Sequence, residues 1–349
     1  MINIKVTLPG FKENLTISQF IGNEESILDD CKFWINKKIE NPDIWFVFEN
    51  ITSEKEACAI DPKKVVFLSA ETSYHDDHFL KDPRTNFLNQ FGYIYTTYET
   101  INNSIKDMPF LPWMINSNHG DSIYSPSPRD VNYFLELKDL KKTKTLSIIC
   151  SNKDFTEGHK KRLDFAYGLK EYFGDLIDWF GNGINPLDQK WDGISDYKYH
   201  ISIENKNKDY LISEKLMDSF LGLSFPFYYG APNTSDFFPK KSFQHIDIND
   251  LNKSIDIIEE GINSNLYEQN MESLLQSKRL VCKDYNLFYR LSIISKQILD
   301  KKQHSKKNLI IKNLTIYQDK YERKQKFLQS IFNVLRKIKH FLIRRLKDN

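Results

Sequence analysis

Residues 197–232 decide how the chain folds, and they read YKYHISIENKNKDYLISEKLMDSFLGLSFPFYYGAP. The largely apolar run 199–203 predicts a strand that ends at Glu204 and Asn205. Ser213 then suits the N-cap of a helix whose apolar residues recur on one face. A second apolar run, 223–229, predicts another strand. A strand, a helix and a strand in this order predict two parallel strands joined by a right-handed crossover.

Similar strand signals occur on the N-terminal side of this segment. Short apolar runs there predict further strands, at 2–8, 44–48, 65–68, 91–95, 146–150 and 176–180. The stretch 116–128 is rich in Ser, Asn, Gly and Pro and reads as a connection. We therefore predict an α/β chain with an acceptor-side Rossmann-like domain (1–130), a donor-binding Rossmann-like domain (140–305) and a helical tail (306–349). Ligands are expected in the crevice at the carboxyl ends of the strands.

Composition excludes several classes of protein. A length of 349 residues suits two cores better than one. The four cysteines are widely separated, which favours a reducing compartment and argues against a zinc site. The N-terminus resembles no export signal, and no apolar run is long enough to span a bilayer, so we expect a cytoplasmic protein.

The net charge of +2 conceals an uneven distribution. Nine Lys or Arg residues and no acidic residue lie between Arg323 and Lys347, and removing those nine charges leaves −7 on the rest of the chain. A nucleic-acid-binding protein would carry its positive charge on the folded body. We therefore expect no nucleic-acid partner.

The basic tail has helical periodicity. Its apolar residues recur every three or four positions, at Leu328, Ile331, Leu335, Ile338 and Leu342. Such a cationic amphipathic helix can lie on an anionic membrane surface. It could instead dock on the body or self-associate through its apolar stripe, which leaves a homo-oligomer open. We favour peripheral attachment to the inner face of the cell membrane.

Charged side chains cluster where predicted strands end and helices begin. Arg162 offers a fork for bidentate phosphate contact, and Lys215 offers a point charge. Glu214 can accept hydrogen bonds from ribose hydroxyls, and a helix N-terminus favours an anion. No glycine-rich phosphate loop is present, so side chains would have to hold a diphosphate. The alternative is that these charges are only solvated and that Ser213 is only a cap.

The same residues carry a family resemblance. The segments 197–205, 209–216, 225–232 and 238–243 resemble, in order and spacing, the signature of glycosyltransferase family 10, which contains the α-1,3/4-fucosyltransferases. Upstream, Ser151-Asn152 followed by Arg162 resembles the element whose Arg contacts the donor diphosphate. The run 65–71 resembles the strand-plus-acid element that supplies the general base.

The resemblance implies a GT-B fold, with two Rossmann-like domains facing across a crevice. It implies GDP-β-L-fucose as the donor and inversion at the anomeric carbon, with no cofactor and no obligatory metal. It assigns Glu71 as the catalytic base, and it assigns donor binding to Arg162, Glu204, Asn205, Tyr210, Glu214 and Lys215. An inverting transfer does need a base for the acceptor hydroxyl and positive charge for the leaving diphosphate. The cluster 75–78, with two His and two Asp, is read as solvated rather than as a metal site.

One departure from the family pattern affects the donor. The family usually has a Tyr three residues before the Glu that corresponds to Glu214, whereas Tyr210 lies four before it and Leu211 takes the usual position. The expected reaction is fucosyl transfer to a glycan hydroxyl, with an α-1,3-type linkage, in the synthesis of surface polysaccharide or lipopolysaccharide. Another GDP-deoxysugar donor is the first alternative. A non-catalytic carbohydrate-binding or membrane-associated assembly protein is the second.

Overall fold

A computed structural model describes residues 1–9, 19, 26–69, 86–97, 101, 103–117, 129–154, 157–300 and 313–317. Two largely parallel sheets, formed by separate parts of the chain, organise these residues. No helix among the described residues is both long and apolar enough to cross a membrane.

The N-terminal strands form the first sheet. In chain order they are β1 (Ile2–Thr7), β2 (Ile27–Leu28), β3 (Cys31–Ile35), β4 (Ile44–Phe48), β6 (Val65–Leu68), β7 (Tyr93–Thr96) and β8 (Ile105–Lys106), while β5 (Lys55–Ala59) lies outside this sheet. The strand order is β2-β3-β1-β4-β6-β7-β8, and every pair except β2 with β3 is parallel. All residues of β4 and β6 are buried, as expected for strands covered on both faces.

The second sheet contains five parallel strands. They are β9 (Lys144–Ile149), β10 (Ile177–Phe180), β11 (Tyr197–Ile203), β12 (Phe225–Tyr229) and β13 (Gln244–His245), in the order β10-β9-β11-β12-β13. The helices of this part are α1 (Val131–Glu136), α2 (Glu157–Phe173), α3 (Glu214–Leu221), α4 (Leu251–Asn263), α5 (Leu266–Gln269) and α6 (Met271–Cys282). Helix α3 connects β11 to β12, as the opening segment predicts.

The next helix, α7 (Leu287–Asp300), belongs by position to the predicted donor domain but packs on the first sheet. Its Leu287, Phe288 and Leu291 share a core with Phe46 of β4. The guanidinium of Arg290 donates hydrogen bonds to the carbonyls of Met108 and Pro109, both at 2.9 Å. The predicted boundary at residue 305 therefore places this helix with the wrong sheet.

A last strand corrects the predicted start of the helical tail at residue 306. Residues Asn313–Tyr317 form β14, which pairs antiparallel with β5. Ile316 is fully buried in the core behind β4 and β6. The β-branched Thr315 and Ile316 suit a strand better than a helix. The amphipathic stretch 327–346 lies outside the described residues.

Candidate active site

The predicted donor residues converge at the carboxyl edge of the second sheet. The ends of β9 and β11 and the start of α3 surround a cavity of about 60 Å³. Arg162, Glu214 and Lys215 line this cavity together with Ser151. This is the edge at which parallel α/β sheets bind their ligands.

Glu204 joins the end of β11 to the start of α3. Its carboxylate is buried and accepts hydrogen bonds from the backbone N–H and the hydroxyl of Ser213, at 2.8 and 2.7 Å. The ammonium of Lys215 lies 3.3 Å from its other oxygen. Glu204 therefore holds Lys215 and the first turn of α3 at the cavity.

Glu214 and Lys215 form the second half of this charge cluster. The Lys215 ammonium lies 3.3 Å from a Glu214 carboxylate oxygen. Burial opposes charge on Glu214, but Lys215 and Lys190 outweigh it and lower the pKa of Glu214 to about 2. Burial also opposes charge on Lys215, yet the carboxylates of Glu204 and Glu214 raise its pKa above the ordinary lysine range. Both residues are therefore ionised at neutral pH.

Arg162 approaches the cavity from α2. Only 8% of the residue is exposed, and one terminal nitrogen donates to the Asn205 side-chain oxygen at 3.0 Å. Among the described residues, its buried Nε has no hydrogen-bond partner. A buried guanidinium with an unused donor is suited to an anionic ligand.

Glu204, Asn205 and Tyr210 do not line this cavity. Glu204 and Asn205 contact the lining residues Lys215 and Arg162, whereas Tyr210 packs elsewhere. Its backbone is left-handed, with φ of +67°, and its N–H donates to the side-chain oxygen of Asn233 at 2.8 Å. Its ring packs edge-on against Phe237, with 6.0 Å between the ring centroids. Leu211, at the position where the family has Tyr, is buried. Tyr210 therefore packs against Phe237 and does not line the cavity.

Three cavity residues were missed by the sequence analysis. Asp218 lies one helical turn after Glu214, so this spacing could have identified it. Burial raises its pKa to about 6. Lys190 gave no signal, because it begins a short 3₁₀ helix that precedes the motif and belongs to no predicted strand or helix. His200 lies inside an otherwise apolar strand, where burial lowers its pKa to about 3, and its Nδ1 is 2.8 Å from the Ser147 hydroxyl.

Two predicted groups cannot be placed. Glu71 and the cluster 75–78 lie outside the described residues. Within the described part of the chain, no group of three His, Cys, Asp or Glu side chains could hold a metal ion.

Comparison with known proteins gives one family and one fold. Residues 140–263 match the model described as glycosyltransferase family 10 (fucosyltransferase) C-term. A crystal structure of an alpha1,3-fucosyltransferase aligns with a TM-score of 0.50 and 16% identity, covering 89% of this chain and 91% of that one. An alpha1,3-fucosyltransferase with GDP-fucose aligns at 0.49 and 18%, covering 89% and 92%. A comparison with curated proteins gives no match. Residues 140–263 thus match the glycosyltransferase family 10 model, and the chain has the GT-B fold of glycosyltransferases.

Proposed function

We propose that the protein transfers L-fucose from GDP-β-L-fucose to a glycan hydroxyl, with inversion and an α-1,3-type linkage. The observation that carries the proposal is the cavity where Arg162 and Lys215 meet beside Glu214. Two cations suit a diphosphate, and a carboxylate suits the ribose hydroxyls. A structurally similar alpha1,3-fucosyltransferase is described with GDP-fucose bound.

The proposed reaction is a single displacement. The acceptor oxygen attacks the anomeric carbon as the bond from that carbon to the diphosphate breaks, so the configuration inverts. Glu71 takes the proton of the acceptor hydroxyl, and GDP leaves. Arg162 and Lys215 stabilise the negative charge that develops on the leaving diphosphate. Glu204 and Asn205 hold these two cations in position.

A second candidate donor has a specific observation in its favour. Tyr210 packs against Phe237, and it is absent from the residues that line the cavity. If the family's Tyr contributes to sugar recognition, this chain recognises the sugar differently. Another GDP-deoxysugar is therefore the alternative donor for the same reaction.

The acceptor and the location are proposed from the sequence. We propose that the protein acts in the cytoplasm on surface polysaccharide or lipopolysaccharide precursors. The nine basic residues between Arg323 and Lys347 would attach it to the inner face of the cell membrane. Residues 1–130 would supply the acceptor side and residues 140–305 most of the donor side.

A panel of sugar nucleotides tests the donor. Purified protein is incubated with GDP-fucose, a second GDP-deoxysugar, GDP-mannose and UDP-GlcNAc, and hydrolysis and binding are measured. We expect GDP-fucose to be bound and hydrolysed in preference to the others. Hydrolysis of the second GDP-deoxysugar alone would establish the alternative donor. Binding of none of the four would favour a non-catalytic carbohydrate-binding protein.

A further inference from the structure

Lys190 is a buried cation in the cavity wall to which the proposed mechanism gives no role. Only 9% of the residue is exposed. Its ammonium lies 3.1 Å from a carboxylate oxygen of Asp218 and 3.8 Å from one of Glu214. Both carboxylates project from α3, one turn apart. Lys190 therefore balances the negative charges of Asp218 and Glu214 on the face of α3 that lines the cavity.

The backbone around Lys190 is fixed by the segment that follows β8. The N–H of Lys190 donates to the Ser117 carbonyl at 2.9 Å, and the N–H of Trp191 donates to the Ile115 carbonyl at 2.8 Å. The other oxygen of Asp218 accepts the N–H of Met114 at 2.8 Å. The backbone that carries the Lys190 ammonium is thus held by two hydrogen bonds, and the ammonium itself pairs with two carboxylates of α3.

Two carboxylates and the proposed phosphate ligand compete for the Lys215 ammonium. This ammonium contacts Glu204, Glu214 and the Ser213 hydroxyl. A phosphate bound by Lys215 would compete with Glu214 for the same ammonium. Glu214, whose side chain is only 13% exposed, then needs another cation nearby. Lys190 is the second lysine within 4 Å of its carboxylate.

We propose that Lys190 is a positioning residue that keeps the Glu214 carboxylate in place while Lys215 binds the donor phosphate. This inference rests on the proposed function, because it assumes a nucleoside diphosphate in the cavity. It predicts that Lys190 matters to donor binding through Glu214 and without contacting the ligand. In its absence, the Glu214 carboxylate competes with phosphate for Lys215.

The test is calorimetric titration with GDP. We expect Lys190→Met to raise the GDP dissociation constant about tenfold, and Lys190→Arg to restore most of the affinity. Lys142→Met is the matched control, since the Lys142 ammonium donates to the Gly222 carbonyl at 2.7 Å, at the opposite end of α3. We expect this control to bind GDP as the wild type does. If Lys190→Met does not fold, Lys190→Gln, which can still donate to Asp218, takes its place.

A double-mutant cycle separates positioning from a general structural role. In a Glu214→Gln background there is no carboxylate to hold, so Lys190→Met is expected to cause no further loss of GDP affinity. An equal loss in both backgrounds, or no loss in either, would overturn the inference. If the wild type binds GDP and Lys190→Met binds it equally well, only this inference fails. If the wild type binds no GDP, the proposed function fails as well.

Discussion

At the scale of single residues, Glu214 and Lys215 keep their charges in a place where an unpaired charge would be costly. Each has an opposite charge within 3.3 Å, and Glu204 also accepts two hydrogen bonds from Ser213. A buried ion pair gives little net stability, but removing one partner leaves the other uncompensated. The cluster is therefore better explained by ligand binding than by stability.

Lys215→Ala is expected mainly to weaken donor binding, with a smaller fall in turnover because one charge that stabilises the leaving diphosphate is lost. Loss of a charged hydrogen bond to phosphate costs about 1.5–3 kcal/mol, which corresponds to a KM for the donor that is roughly 10- to 100-fold higher. Steady-state kinetics with GDP-fucose measure this effect. Lys161→Ala is the control, because Lys161 is half exposed and pairs with Glu157 at the surface of α2. An unchanged KM in Lys215→Ala would remove this residue from the donor site.

Glu71→Gln is expected to have the opposite effect. A glutamine keeps the size of the side chain but cannot accept the proton, so kcat should fall by about 10²–10⁴-fold. The dissociation constant for GDP should stay at its wild-type value, because the proposed base touches the acceptor and not the nucleotide. Turnover at saturating donor and acceptor, with GDP titration as the control, checks both. Wild-type turnover in this variant would show that another group is the base.

Some residues of the cavity can be identified from the sequence, and others cannot. Glu214 and Lys215 were identified because they lie in a motif and at a helix start, where charges favour an anion. Lys190 was not, since its place beside Glu214 depends on long-range packing between residues 115–117 and 190–191. Tyr210 was named as a donor residue, but a left-handed backbone at that position turns it toward Phe237.

At the scale of elements, α3 connects the site to the rest of the second sheet. Ser213 caps its N-terminus, where its hydroxyl accepts the N–H of Lys215 at 3.3 Å. At the other end, the Lys142 ammonium donates to the carbonyls of Gly222 and Ser195, both at 2.7 Å. Burial lowers the pKa of Lys142 to about 7.

Because folding lowers the pKa of Lys142, the free energy of unfolding depends on pH in the alkaline range. Between pH 7 and 10.5 the unfolded chain holds a proton on Lys142 that the folded chain has released, so the free energy of unfolding rises with pH in this window. Lys142→Met should reduce this increase of the free energy of unfolding with pH. Urea unfolding at several pH values from 7 to 10 measures it, and Lys141→Met, which changes an exposed neighbour, is the control. Equal slopes for Lys142→Met and the wild type would contradict the assigned pKa.

Local patterns predicted the elements well where cap and periodicity agree, as in α3 and its flanking strands. Helix α7 shows the limit of such patterns, because periodicity shows only which face of a helix is apolar and not which sheet it covers. Strand β14 was missed because it is short, and because its partner β5 is distant in sequence. Pairing between distant segments leaves no local signal in a single chain.

At the scale of the whole molecule, the tail predicts membrane attachment. Deleting residues 323–349 removes nine positive charges, each worth about 1 kcal/mol near an anionic surface. The truncated protein should remain in the supernatant when sedimented with anionic vesicles, while the full chain pellets. Donor hydrolysis should be unchanged, which is the internal control. A truncated protein that still pellets would show that another surface binds the vesicles.

Helix α7 packs on one face of the first sheet, and Ile316 of β14 adds to the core on a face of the same sheet, so we expect a definite order of assembly during synthesis. The cores on the two faces of that sheet include Leu287, Leu291 and Ile316, so they stay incomplete until the last part of the chain has left the ribosome. The second sheet and its helices end at Cys282 and can be completed earlier. The first sheet is therefore translated first, but its cores are completed after those of the second sheet. Nascent chains arrested so that residue 282, but not residue 287, lies outside the ribosome should resist protease across the second sheet and be cleaved in the first.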